Sequence, residues 1–147
     1  SQSICFGYNG TFSKHIECNE YWHKYYIDKF KCLDNNKFNL WITTDEFKIL
    51  HRDWSKSNEI HAESNALMNA LYSGVSVKDA TIYVYGLPVC PECAKLIIQS
   101  GVRRVVIKPN TPMTPQTWVE LWDTQSAPMF KEAGVMVSIV GDRSDGE

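Results

Sequence analysis

The sequence predicts an α/β fold whose last three strands run parallel. Three observations carry that prediction. Residues 80–86, 103–108 and 135–140 are short apolar runs rich in β-branched and aromatic residues, the composition of strands. A helical stretch precedes each of them. Three times such a stretch closes on a glycine followed by valine, at Gly74, Gly101 and Gly134, the place where a helix end favours glycine. Strand–helix–strand connections usually join parallel neighbours, so these three strands are expected side by side and parallel.

Each element follows in chain order. Residues 3–8 read as a short strand that holds Cys5 buried and ends at the turn signal of "GYNG". "NEYWHKYYIDKFKCL" reads as a helix capped by Asn19, with Trp22, Tyr25, Tyr26, Lys29 and Phe30 near helical spacing. "KFNLWITTDEFKILHRDWSKSN" reads either as a short strand or as helix plus loop. Residues 61–73 form a helix whose Ala62, Ala66, Leu67, Ala70 and Leu71 share one stripe. Residues 91–100 form the next helix. Residues 115–133 form a helical region that Pro128 is expected to break in two. No internal repeat or low-complexity tract appears.

Composition narrows the class. A chain of 147 residues is long enough for one domain with its own core, so 1–147 is read as a single domain, with 12–57 its aromatic-rich, less regular part. Hydrophobic content of 44% and charged content of 22% fit a globular class and exclude wholesale disorder. The net charge of −2 argues against nonspecific nucleic-acid binding, which needs a basic excess. No apolar run is long enough to span a bilayer, so no membrane partner is expected. The five cysteines, Cys5, Cys18, Cys32, Cys90 and Cys93, are an odd count that does not fit a secreted disulfide scaffold. A cytoplasmic location is expected.

The chemistry lies in two phrases, "NEIHAESNAL" and "LPVCPECAKLI". A catalytic zinc site takes three protein ligands and keeps one position open for water. His61, Cys90 and Cys93 supply one nitrogen and two sulfurs. Cys90 stands where an N-cap residue would, Pro91 at the first helical position and Cys93 one turn in. Both sulfurs then face a helix N-terminus, where the dipole and free N–H groups stabilise thiolates. Glu63 and His61 are two residues apart and would diverge on a regular helix. They converge only if both lie at its first turn, with the metal beyond the helix end. Glu63 is then beside the metal without binding it, as a proton shuttle requires. Alone, His-x-Glu carries almost no information, and Cys-x-x-Cys also fits a redox pair or half of a structural zinc site. Motif order, spacing and helix context together match the zinc-deaminase signature.

"GYNGT", "HAESNAL", "DATIYVY" and "CPECAKLIIQSGVRRVVI" closely resemble the deoxycytidylate deaminases within the zinc-dependent cytidine deaminase superfamily. The resemblance is strong over 58–108, clear at 7–11 and weak elsewhere. It implies a three-layer cytidine-deaminase-like fold, a mixed sheet with helices on both faces. It also implies hydrolytic deamination of dCMP to dUMP, with zinc held by His61, Cys90 and Cys93 and protons relayed by Glu63. Asn9 corresponds to the asparagine that contacts the nucleoside, and the Ala62 backbone N–H to the contact with the pyrimidine carbonyl. Asn58 and Glu59 stand in a phrase that the resemblance assigns to substrate contacts. For Asn58 the plainer alternative is that it caps the helix. A homo-oligomer is implied by the family's habit of assembling.

The sequence departs from the family at two points. "LPVC" interposes Val89 between Pro88 and Cys90, lengthening a loop beside the pocket by one residue. The family's N-terminal helix and first strand, which precede "GYNG", also have no counterpart here, so they are expected to be absent from this sequence, the alternative being that another segment fills their place. The resemblance further implies a second, structural zinc in some members, for which His15, Cys18, His23, Cys32 and His51 are candidates. Their irregular spacing favours solvated or packed residues instead. Arg52 and Lys56 are candidates for a phosphate contact, with solvated surface charge as the alternative. The effector loop of the family is only partly matched by "GYNGTFSKHIECNE". Competing readings are a deaminase of another cytosine nucleotide or nucleoside (modified dCMP, dCTP, cytidine) and a noncatalytic zinc- or nucleotide-binding module. Intact Glu63 argues against the module, since binding alone needs no proton shuttle.

Overall fold

The computed structural model describes residues 5–86, 88–109 and 114–141. Contacts divide the chain into two compact units, Asn9–His61 and the remainder, which takes in residues up to Tyr8 and from Ala62 onward.

The Asn9–His61 unit is mainly helical. Helix α1 spans Cys18–Phe30, α2 Asn35–Trp41 and α3 Asp45–Asn58. A two-residue strand β1 (Gly10–Thr11) pairs antiparallel with β2 (Glu59–Ile60), Gly10 opposite Ile60. The stretch left open between strand and helix is therefore two helices, and their caps explain why. The Asp34 side chain accepts the backbone N–H groups of Asn36 and Lys37, and Thr44 accepts that of Phe47, satisfying donors that a helix start leaves unpaired. In α1 the N-cap is Glu17, without a side-chain capping bond. Asn19 is not the cap; it lies within the first turn, and its carbonyl accepts from His23 Nδ1 at 3.0 Å. The core of this unit is aromatic: Trp22, Tyr26, Phe38 and Trp41 are buried, with Tyr21, Tyr25, Phe47 and Trp54 packed around them. Trp22 meets Tyr21 and Phe47 edge-on, with centroids 4.9 and 5.1 Å apart, a preferred aromatic geometry.

In the other unit, β3 (Thr81–Gly86), β4 (Arg104–Pro109) and β5 (Met136–Ile139) form one parallel sheet in that order. Ile82 pairs with Val105 and Val84 with Ile107, so these four share a face. That face packs on helix α5 (Pro91–Ser100) and helix α7 (Ala127–Ala133), whose Ile97 and Phe130 are completely buried. Helix α4 (Ala62–Tyr72) adds Leu67 to the same core. Leu71, expected on the buried stripe of α4, is instead 70% exposed. The expected α/β architecture and parallel final strands are both present.

Two further expectations are corrected in this unit. Residues 5–8 form no strand, and Cys5 is only half-buried; residues 3 and 4 lie outside the described residues. The backbone of residues 5–8 is held by a helix instead of a ladder: Asn69 Nδ2 donates to the Phe6 carbonyl at 2.7 Å and Asn65 Nδ2 to that of Tyr8 at 3.0 Å. Pro128 does not split the last helical region. Helix α6 (Gln116–Leu121) runs through a π-helical turn at Trp122–Ser126 directly into α7. The Ala127 N–H reaches the carbonyl of Trp122, five residues back. Widening the turn in this way relieves the clash that a proline ring makes with a carbonyl in a regular helix.

Candidate metal centre

Helix α5 is built to place two sulfurs at its own N-terminus. Cys90 is the N-cap in extended conformation (φ −75°, ψ 161°), and Pro91 opens the helix at no cost in hydrogen bonds. The Cys93 backbone N–H lies 3.5 Å from Cys90 Sγ. The cysteines are 7% and 2% exposed. This is the arrangement expected from the spacing alone. The Cys93 thiol is pushed up strongly, first by its hydrogen bond with Cys90 and then by burial; the Ser64 hydroxyl pulls the other way, and the charge of Glu63 adds to the rise. The buried Cys93 thiol holds its proton until a cation replaces it, and a divalent ion inverts that preference.

The start of α4 supplies the other groups. His61 is exposed and immediately precedes Ala62, the first residue of the helix, and Glu63 lies half-buried in its first turn. The ligand atoms of His61, Cys90 and Cys93 all lie within 4.8 Å of one another. Ligands bound to tetrahedral zinc at 2.0–2.3 Å stand about 3.5 Å apart, so the three groups suit a single ion. Imidazole and thiolate donors favour zinc and disfavour calcium or magnesium, which take oxygen ligands.

The remaining candidates have varied surroundings. Asn9 is exposed just before β1. Ala62 is half-buried. Asn58 ends α3, so it does not cap α4. Its Nδ2 donates to the Trp54 carbonyl at 2.7 Å, and its Oδ1 accepts from His15 Nε2. Glu59 Oε1 accepts from Ser55 Oγ at 2.7 Å and lies 3.5 Å from His51 Nε2. Val89 is buried in the core beside Cys90. Arg52 and Lys56 are exposed one turn apart on α3.

A second group of metal-capable side chains lies within the Asn9–His61 unit: Cys18, His51 and Glu59, again within 4.8 Å of one another. Cys18 Sγ lies 3.5 Å from His51 Nε2. Burial, reinforced by the charge of Glu59, pushes the Cys18 thiol up to about 11. Of the five residues considered for a second zinc, Cys18 and His51 therefore meet, and His15 and His23 instead stack on Phe12 and Phe38 at 4.3 and 3.8 Å. Sequence reasoning did not connect Glu59 with this group. The three residues form no linear motif and meet only because α1, α3 and β2 fold together.

The cytidine and deoxycytidylate deaminase zinc-binding region matches residues 1–108. The deoxycytidylate deaminase of Enterobacteria phage T2 is 36% identical over 115 residues, 70% of this chain and 61% of that protein. That of Mus musculus is 37% identical over 95 residues, 65% of this chain and 47% of that protein. The chain thus spans about three-fifths of the phage relative's length. The fold matches the crystal structure of the cyanophage S-TIM5 dCMP deaminase in apo form, with a TM-score of 0.52 at 22% identity, over 93% of this chain and 71% of that one. A second structure of the cyanophage enzyme, in complex with dCMP and dUMP, matches with the same TM-score of 0.52 at 21% identity, over 91% and 70% of the two chains. The chain belongs to the cytidine and deoxycytidylate deaminase zinc-binding family.

Proposed function

We propose that this protein hydrolyses dCMP to dUMP and ammonia, holding one zinc ion with His61, Cys90 and Cys93 and moving protons with Glu63. The observation that carries the proposal is the gathering of those three ligand atoms within 4.8 Å, with Glu63 one residue beyond Ala62 in the first turn of α4. Zinc bound there would supply Lewis acidity, which makes a water acidic near neutral pH. Glu63 takes a proton from the water that adds at C4 and passes it to N3. It then takes the remaining proton from the C4 hydroxyl and delivers it to the departing amino group. The C4–N bond breaks, ammonia leaves with the bonding pair, and C4 becomes a carbonyl. A carboxylate beside the ligands can carry each transfer because it is not itself needed as a ligand.

In this reading Asn9 and the Ala62 backbone N–H meet the nucleoside. Asn58 and Glu59 border the nucleotide, with Arg52 and Lys56 as candidates for its phosphate. That dCMP and dUMP bind the cyanophage enzyme supports the choice of nucleotide. A deaminase of another cytosine nucleotide is the alternative. Ammonia release assayed over a panel of cytosine nucleotides and nucleosides tests both. Release from none of them, by protein carrying zinc, would leave a noncatalytic binding module.

Cys18, His51 and Glu59 support a second, structural zinc, although three donors are one short of a closed structural site. Metal analysis expects two equivalents per chain and one after Cys18→Ala; one equivalent in both removes the second ion. The whole of 1–147 is proposed to act as one domain in a cytoplasmic homo-oligomer. The sheet face opposite α5 leaves Tyr83 and Tyr85 about three-quarters exposed, which supports association. Sedimentation showing only monomer at micromolar concentration would refute it. Among the described residues no helix is long and apolar enough to cross a membrane.

A further inference from the structure

The side chain of Ser64 is not part of the His-x-Glu or Cys-x-x-Cys motifs, yet its Oγ lies 3.1 Å from Cys93 Sγ. Ser64 follows Glu63 in the first turn of α4, and Cys93 lies in the first turn of α5. The contact thus ties together the two helix starts that carry the candidate site. Cys93 is 2% exposed, so water has little access to its sulfur. Without metal, either atom can donate the proton of this bond. A metal-bound cysteine is a thiolate and has no proton to give. Only the serine hydroxyl can then donate, and a hydrogen bond to an ionised acceptor is stronger than a neutral one.

We infer that Ser64 is a positioning residue: its hydroxyl donates to the Cys93 thiolate, fixing the direction of that sulfur and withdrawing electron density from it. This inference rests on the reading of Cys93 as a zinc ligand. A thiolate that shares its lone pair with a hydroxyl donates less charge to the metal and leaves it a stronger Lewis acid. The effect is reached through Cys93, and Ser64 touches neither substrate nor metal.

The test replaces zinc by cobalt(II) and reads the sulfur-to-metal charge-transfer band. Ser64→Ala is expected to move that band to lower energy, because the sulfur lone pair loses its stabilising partner. It should also change metal affinity by about tenfold or more in competition with a chelator. Ser64→Thr keeps a hydroxyl and should restore the band. Circular dichroism of both variants should match the parent. A band that stays in place in Ser64→Ala overturns the inference, even if affinity falls, since a fall in affinity with an unmoved band is what loss of packing alone would give. Cys93→Ala tests the underlying ligand assignment separately. It should cut the charge-transfer intensity by about half or more, as one of two thiolates, or the metal with it, is lost. Undiminished intensity there overturns the ligand reading itself, and the role of Ser64 with it.

Discussion

Gly7 is packed so tightly against Ala66 that a Cβ on it would meet the Ala66 Cα at 2.7 Å, besides colliding with the Ala62 carbonyl. The obstacle is helix backbone, which cannot swing aside as a long side chain can. Gly7→Ala should therefore lower stability by about 1–3 kcal/mol, the usual cost of overpacking. Asn69→Ala, which removes one hydrogen bond to the Phe6 carbonyl, should cost about 1 kcal/mol. Denaturant unfolding checks both. Equal stability of Gly7→Ala and the parent would mean that residues 5–8 do not seat on α4 as described.

Glu63→Gln should keep zinc and lose turnover, because the amide preserves shape but cannot move protons. The expected loss is about 10²–10⁴-fold. Cys90→Ala should behave oppositely and lose the metal, since it removes both a sulfur donor and the N-cap of α5. Metal analysis beside the activity assay separates the two roles. A full equivalent at the His61 site in Cys90→Ala, or parental turnover in Glu63→Gln, would show that the roles are assigned wrongly.

Glu46 gives the Asn9–His61 unit a dependence on acid. The Trp41 indole donates to its Oε1 at 2.9 Å and Lys29 Nζ lies 3.1 Å from Oε2. The Trp41 bond first, and Lys29 second, hold the carboxyl below the usual carboxylate range. A carboxyl with a lowered folded-state value contributes stability above its unfolded value of about 4.3, and that contribution disappears as pH falls through the folded value. The stability gap between the parent and Glu46→Gln should thus be present at neutral pH and close on acidification below about pH 4. A gap independent of pH would show that the Glu46 charge contributes nothing.

The final strands and the Cys90–Cys93 geometry were legible because each rests on local signals: β-branched runs, closing glycines and a proline after an N-cap. The α2–α3 region was not, although Asp34 and Thr44 are good cap residues. Its aromatic residues fit both strand and helix, and only their common burial around Trp22 decides between them. Residues 5–8 look like a strand by composition. Their backbone partners are Asn65 and Asn69, which are 57 and 63 positions away from the residues they hold, so no local pattern could show them. Pro128 looks like a break because regular helices reject proline; the π turn evades that rule by changing the helical repeat. The Glu59 side chain also faces His51 and Ser55, contacts that no linear motif announces.

The substrate provides the last prediction. The proposed zinc site and Glu63 would act on any cytosine placed over them, so selection must come from groups around the sugar and phosphate. Arg52 and Lys56 are exposed on α3 at i and i+4, so both cations lie on one helix face. A charge-assisted contact with phosphate contributes about 1.5–3 kcal/mol, or one to two orders of magnitude in kcat/KM when it persists in the transition state. dCMP should accordingly be favoured over deoxycytidine by that factor. Arg52→Ala and Lys56→Ala should shrink the preference by weakening dCMP alone. The buried Val89 beside Cys90 gives a reason to include 5-substituted dCMP, because the lengthened loop can alter the room around the base. Equal kcat/KM for dCMP and deoxycytidine would refute phosphate recognition. A preference that survives in both variants would refute only the choice of Arg52 and Lys56, and would place the phosphate contact on other groups.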